Sequence, residues 1–127
     1  MSFRVTLSVS LLALALLAGC AVPWSTDAPG GPAARALEAG LRAYDDGQYP
    51  EAERHLRSAL AAGLDNAADR ATAHKTLAFV YCTSQRLPRC EREFRNARRA
   101  DPAFALSRAE AGHPLWGPVY RRVVPGS

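Results

Sequence analysis

Cys82 and Cys90 stand eight residues apart in the stretch VYCTSQRLPRCE. Two cysteines so placed have four uses: a metal site, a redox pair, a structural bridge, or small packing residues. Neither C-x-x-C nor H-x-x-x-H spacing accompanies them, so a zinc site is poorly supported. The three histidines offer little more. His55 lies on a helix between charged neighbours and is expected to be solvated; His74 falls on an apolar helical face and is expected to be a hydrogen-bonded core histidine. His113 precedes Pro114 at a helix end, where a hydrogen bond to backbone is expected. The chain has no Gly-x-Ser-x-Gly elbow, no phosphate loop and no HExxH. Asp45-Asp46 and the Glu51/Glu53 pair occupy a turn and a first helical turn, where carboxylates suit the helix dipole. No catalytic set and no cofactor site emerges, so an enzyme is not expected. For Cys82 and Cys90, the choice between bridge and packing pair depends on the compartment.

That compartment is indicated at the N-terminus. The chain opens MSFRVTLSVSLLALALLAGC, with Arg4 giving a short positive region before the apolar run Val5 to Ala18. The run is shorter than the roughly 20 residues a membrane-spanning helix needs. Small residues follow it, as in an export signal. Leu17-Ala18-Gly19-Cys20 resembles the bacterial lipobox, which implies lipidation of the Cys20 thiol and removal of residues 1–19. Ala21 rather than Asp follows, and within that resemblance this favours the outer membrane, with the protein facing the periplasm. Several acyl chains, at about 0.8 kcal/mol per buried CH2, make a stable anchor. Cys82 and Cys90 are then the only free thiols, in a compartment that permits oxidation.

The 127-residue chain carries a formal charge of +4, or +3 without Arg4. So modest a balance does not argue for nucleic acid, and export argues against it. Lys75 is the only lysine. The abundance of arginine suits carboxylate or phosphate partners, although GC-rich coding explains it equally well. Residues 20–33 comprise Cys20 and a Pro/Gly-rich segment with no helical or strand period, expected to tether the lipid to the domain. Trp24 in this segment is expected to be unstructured or to rest at the membrane interface.

The mature chain is self-similar. YPEAERHLRSAL (Tyr49 to Leu60) aligns without gaps to LPRCEREFRNAR (Leu87 to Arg98), an offset of 38 residues. Pro50 pairs with Pro88, Ala52 with Cys90, Glu53 with Glu91, Leu56 with Phe94 and Ala59 with Ala97. A period of this size indicates stacked structural units. Each unit reads as a helical hairpin. The first helix covers Ala34 to Asp45, the turn is DGQY, and the second helix starts at Pro50 and ends at Gly63. Asp65 or Asn66 caps a third helix running to about Thr83, with Ala71, His74, Ala78 and Tyr81 on one face. Pro88 opens the fourth, which Asp101-Pro102 closes. No stretch alternates in strand fashion, so the domain, residues 34–106, is expected to be all-α.

Gly40, Gly47, Tyr49, Ala52, Leu56 and Ala59 fall at signature spacings of the tetratricopeptide repeat, which this segment resembles. Ala78, Tyr81, Phe94, Ala97 and Pro102 do so in the second unit, where Gln85 replaces the turn glycine and Cys90 the small alanine. The long offset implies a longer connection or a longer first helix in the second unit. Two units rarely bury enough surface alone, so residues 107–127 are expected to cap the stack. Ser107 and Glu110 have capping-box spacing, giving a short helix to about Ala111. Leu115, Trp116, Val119 and Tyr120 would cover the second hairpin; alternatively Trp116 and Tyr120 form a partner-binding patch.

The lipobox, the short tether, HKTLAFVYC, RCEREF, DPAFAL and AEAGHPLWGPVY together resemble the TssQ-type lipoproteins associated with type VI secretion. The resemblance implies a pathway, with periplasmic or envelope proteins as partners, and no site residues. A protein–protein docking role in assembling the secretion machine is therefore expected. Competing readings are a pilotin-like or outer-membrane assembly accessory lipoprotein and, from another class, a regulator of peptidoglycan enzymes. For Cys82 and Cys90, a disulfide across the second hairpin's turn is expected. A bridge needs Cα atoms within roughly 4.4–6.8 Å, whereas the repeat sets Cys90 about a turn deeper than the residue facing Cys82. In the packing alternative, Cys90 matches Ala52 and Cys82 matches Tyr44.

Overall fold

Helix punctuation in the sequence divides the chain into two pairs of antiparallel helices. The computed structural model describes residues 30–126; the signal segment, Cys20 and Trp24 lie outside the described residues. Six helices follow in order: α1 (Pro32–Asp45), α2 (Tyr49–Ala62), α3 (Ala67–Thr83), α4 (Leu87–Ala100), α5 (Arg108–Ala111) and α6 (Gly117–Val123). Among the described residues there is no strand. The fold is all-α, with α1 packed on α2 and α3 packed on α4 as two helical hairpins. No helix among the described residues is long and apolar enough to cross a membrane.

Helix α1 begins at Pro32, two residues before the expected Ala34, so the segment expected to be tether through 33 ends sooner. The proline needs no N–H partner at a helix start, and Ala33 and Ala36 already pack on the core. Gly40 lets the first hairpin close. A Cβ there would meet Leu56 Cγ at 2.7 Å and the Leu56 backbone nitrogen at 3.2 Å.

The two hairpin turns are built alike. Gly47 N–H bonds Tyr44 O and Gln48 N–H bonds Ala43 O, at 3.0 and 2.8 Å. Thirty-eight residues on, Gln85 N–H bonds Cys82 O and Arg86 N–H bonds Tyr81 O, at 3.1 and 2.8 Å. This is the Schellman pattern. It demands a left-handed residue, which is Gly47 at φ 71° in one turn and Gln85 at φ 60° in the other.

Between the hairpins, Gly63 ends α2 and the Asn66 carboxamide oxygen caps α3, accepting from Ala68 and Asp69 N–H at 2.7 and 3.2 Å. The Arg70 guanidinium secures this connection through Leu64 and Asp65 carbonyls. Helix α3 has 17 residues against 14 in α1, so the extra length of the second unit lies in its first helix. From Thr76 to Cys82 every residue of α3 is buried, as befits a helix enclosed on all sides.

The tail covers the second hairpin. Ser107 and Glu110 form the reciprocal capping box that starts α5, and Lys75 on α3 reaches the Glu110 carboxylate at 2.7 Å. Trp116 stacks on Phe79 with ring centroids 4.2 Å apart, and its indole N–H donates to Glu110 O. Tyr120 packs edge-on against Phe94 and Phe104, and its hydroxyl accepts from the Leu106 N–H. Helix α6 is an addition to the sequence reading, which gave this part of the tail a covering role and assigned no helix after about Ala111. Leu115, expected to join that cover, is 52% exposed. The chain turns into α6 immediately after it, and Trp116 takes the inward position.

Candidate functional site

Three runs at helical spacing converge between the hairpins. Arg57 and Leu60 share a face of α2, His74, Leu77 and Tyr81 a face of α3, and Arg89, Arg92 and Glu93 a face of α4. The faces meet around an open groove of about 340 Å³. Leu60, Leu77 and the Tyr81 ring make its floor, with Arg57 on one wall and Arg89 and Arg92 on the other. The three arginine side chains are 66%, 48% and 56% exposed.

The carboxylates within reach are already engaged. Glu93, buried at one end of the groove, sits 2.6 Å from the His74 Nδ1 and 3.5 Å from the Asn96 amide nitrogen. Burial pushes its carboxyl up, but the hydrogen bond and charge of His74, helped by Asn96 and Arg92, outweigh this and hold it below the ordinary carboxylate value. Glu53 lies beside the other end. It accepts from the Tyr81 hydroxyl at 3.1 Å and from Arg86 at 2.7 Å. Burial again works upward on Glu53, and Arg86, Tyr81 and Arg57 together bring it below its ordinary value. The Tyr81 phenol is raised by burial and by its hydrogen bond to Glu53. The Tyr81 ring carries the Arg86 and Arg89 guanidinium groups, with centroid distances of 4.6 and 5.7 Å.

Arg57 and Arg89 approach Glu53 only to 3.7 and 3.8 Å, and Arg92 approaches Glu93 to 3.6 Å. These are loose ion pairs, beyond hydrogen-bond length. By contrast, Arg70, Arg98 and Arg121 spend their donors on backbone carbonyls at 2.7–2.8 Å. The groove therefore presents three guanidinium groups whose donors are open to an incoming acceptor.

Compared with family models, with curated proteins and with solved structures, the chain matches none.

Of the residues singled out from sequence, Cys82 and Cys90 come together. Their sulfurs are 1.99 Å apart, the dihedral is −84° and the Cα atoms are 5.2 Å apart. Helix α4 starts at Leu87, so Cys90 is still in its first turn and faces the end of α3. Trp116 and Tyr120 are both buried, at 9% and 2% exposure, so they line the core beneath the tail and do not form an exposed binding patch. His74 meets the buried Glu93 carboxylate. His55 is half-buried beside Arg54. His113 lies flat on Trp116 at 3.4 Å, and its Nδ1 accepts from Leu115 N–H. Among the described residues, no group of three or more His, Cys, Asp or Glu is arranged to hold a metal ion.

Sequence reasoning missed the groove arginines. Their signal was present: Glu53-Arg57-Leu60 and Arg89-Arg92-Glu93 each mark one helical face. That the two faces look toward one another depends on how the hairpins stack.

Proposed function

We propose that this chain is a docking and assembly factor, anchored to the outer membrane through lipid on Cys20 and facing the periplasm, and that it serves type VI secretion. The observation that carries the docking role is the groove between α2 and α4, where Arg57, Arg89 and Arg92 keep their donors open above an apolar floor. A stacked-hairpin scaffold, closed by a disulfide and a packed tail, holds such a surface rigid, and it resembles the tetratricopeptide repeat in sequence. The protein acts by binding and carries out no catalysis. The lipobox-like Leu17 to Cys20 supports the anchor. The pathway rests on the resemblance to TssQ-type lipoproteins.

Deletion of the protein should abolish type VI secretion in its native host, with restoration by the wild type and not by Cys20→Ser. Fatty-acid labelling and membrane fractionation of the two forms should show lipid and membrane association for the wild type alone. Equal labelling of both forms would remove the anchor. Undiminished secretion after deletion would remove the pathway and favour an outer-membrane accessory of the pilotin kind or a regulator of peptidoglycan enzymes.

A further inference from the structure

We propose that the groove between α2 and α4 binds an acidic peptide segment of a partner protein, with carboxylates seated on Arg57, Arg89 and Arg92 and an apolar side chain between them against Leu60. The inference rests on the docking reading and specifies the chemistry of what is docked.

The charge of the groove is one-sided. Three guanidinium groups line it against one carboxylate, Glu93, which is held by His74 and Asn96. Glu53, the other carboxylate nearby, has its oxygens on Arg86 and the Tyr81 hydroxyl. The guanidinium groups of Arg57, Arg89 and Arg92 make no hydrogen bond to a protein acceptor among the described residues, and their closest carboxylate contacts are 3.6–3.8 Å. A guanidinium fork matches a carboxylate with two parallel N–H···O bonds, which makes arginine the natural reader of such groups. Because the arginines project from two separate helices, carboxylates must be supplied at more than one point along a ligand, as an acidic chain does.

The floor selects among acidic ligands. The half-buried Leu60 leaves apolar surface between the charged walls, above the buried Leu77 and Tyr81, and a protein side chain fills such a surface where phosphate cannot. The groove is also recessed between two helices, which suits a narrow chain and not the plane of a lipid surface. Holding the arginines requires no movement of the scaffold, because Glu53 and Arg86 fix α2 to the turn before α4 and the Cys82–Cys90 bridge fixes that turn.

The test uses the full-length lipidated protein in detergent micelles and a fluorescein-labelled peptide, Gly-Asp-Glu-Leu-Asp-Glu-Gly, followed by anisotropy. Saturable binding is expected. It should be lost with the Asn/Gln version of the peptide and weakened when Ser replaces the central Leu. Arg57→Gln and Arg92→Gln should each weaken binding by about tenfold, the scale of one charge-assisted hydrogen bond. Arg42→Gln, on the exposed side of α1, should leave binding unchanged. The groove arginines are exposed, so thermal melts should show that these variants keep their fold. Equal binding of the amide peptide, equal loss with Arg42→Gln, or no saturable binding would overturn the inference. So would phosphatidylglycerol vesicles binding through the same three arginines while the peptide does not. The secretion experiment is read separately. Anchor-dependent secretion without peptide binding would remove the groove inference alone, and peptide binding without any effect on secretion would remove the pathway alone.

Discussion

Glu53 on α2 takes the Arg86 guanidinium at 2.7 Å, joining the first hairpin to the turn of the second. Its counterpart one repeat later, Glu91 on α4, takes Arg122 from α6. The same position in each hairpin thus ties its second helix to the next layer of the stack. Glu53 also receives the Tyr81 hydroxyl, so the seam between hairpins is polar at its rim and apolar behind it. Arg86 is more than a third exposed, which limits the worth of the ion pair.

Breaking this pair should loosen the seam without unfolding the chain. Glu53→Gln and Arg86→Gln should each cost about 1 kcal/mol, with a coupling of about 0.5 kcal/mol or more in a double-mutant cycle. Urea unfolding of the four proteins measures it. Strict additivity would mean that the contact contributes nothing to holding the hairpins together.

Acid should destabilise the protein through three carboxylates. Glu53, Glu93 and Glu110 are all held below their ordinary value, each by hydrogen bonds and neighbouring positive charge that outweigh burial. A depressed folded-state pKa gives stability that is fully present above the unfolded value, about 4.3 for glutamate, and is lost as pH falls through the lower folded value. Melting temperature should therefore hold steady in mildly acidic buffer and drop from about pH 4.5 downward. Glu93→Gln should be less stable at neutral pH and show a shallower acid limb. A wild-type melt unchanged down to about pH 3 would contradict the depressed values.

Much of the helical framework was legible because helix signals are local. Pro50 and Pro88 near helix starts, Gly63 past a helix end, Asn66 as a cap and the Ser107/Glu110 box can each be read from a few neighbouring residues. Gln85 was marked as the residue standing where the first turn has glycine, and it adopts the left-handed conformation regardless. Helix α6 was not legible. Gly117 and Pro118 open it with no side-chain cap, and its stability comes from packing on α4. The all-round burial of α3 was similarly hidden, since only the stacked α2, α4 and tail create it. The groove belongs with these, as a product of three helices that no single segment announces.

Joining Cys82 to Cys90 should stabilise the second turn. Closing so short a loop is worth about 2–3 kcal/mol when assigned to unfolded-chain entropy, a sizeable share of the stability of a small domain. The bridge also spans Gln85, whose left-handed backbone costs a non-glycine residue about 1–2 kcal/mol. Reduction should lower the urea midpoint by the corresponding amount, and Gln85→Gly should recover about 1 kcal/mol of it. Intact mass after alkylation with and without reductant gives the direct readout. Two alkylated thiols before reduction would make the cysteines packing residues, matching Tyr44 and Ala52.

The tail should behave as part of the core. Trp116 stacks on Phe79, and Tyr120 meets Phe94, so the two α6-proximal aromatics reach both helices of the second hairpin. Trp116→Ala should cost about 3–5 kcal/mol, the range for a large buried ring removed with partial collapse of its site. Deleting residues 107–127 should do more, uncovering Phe79 and Phe94 and breaking the Lys75–Glu110 and Glu91–Arg122 pairs. Loss of a cooperative thermal melt, with binding of a hydrophobic dye, is the expected outcome for the deletion. Leu115→Ala provides the contrast: its side chain is half exposed, so its change should stay within about 0.5 kcal/mol. A truncated protein that still melts cooperatively at the wild-type temperature would show that the hairpins stand without their cover. The aromatics would then have to be explained by binding and not by packing.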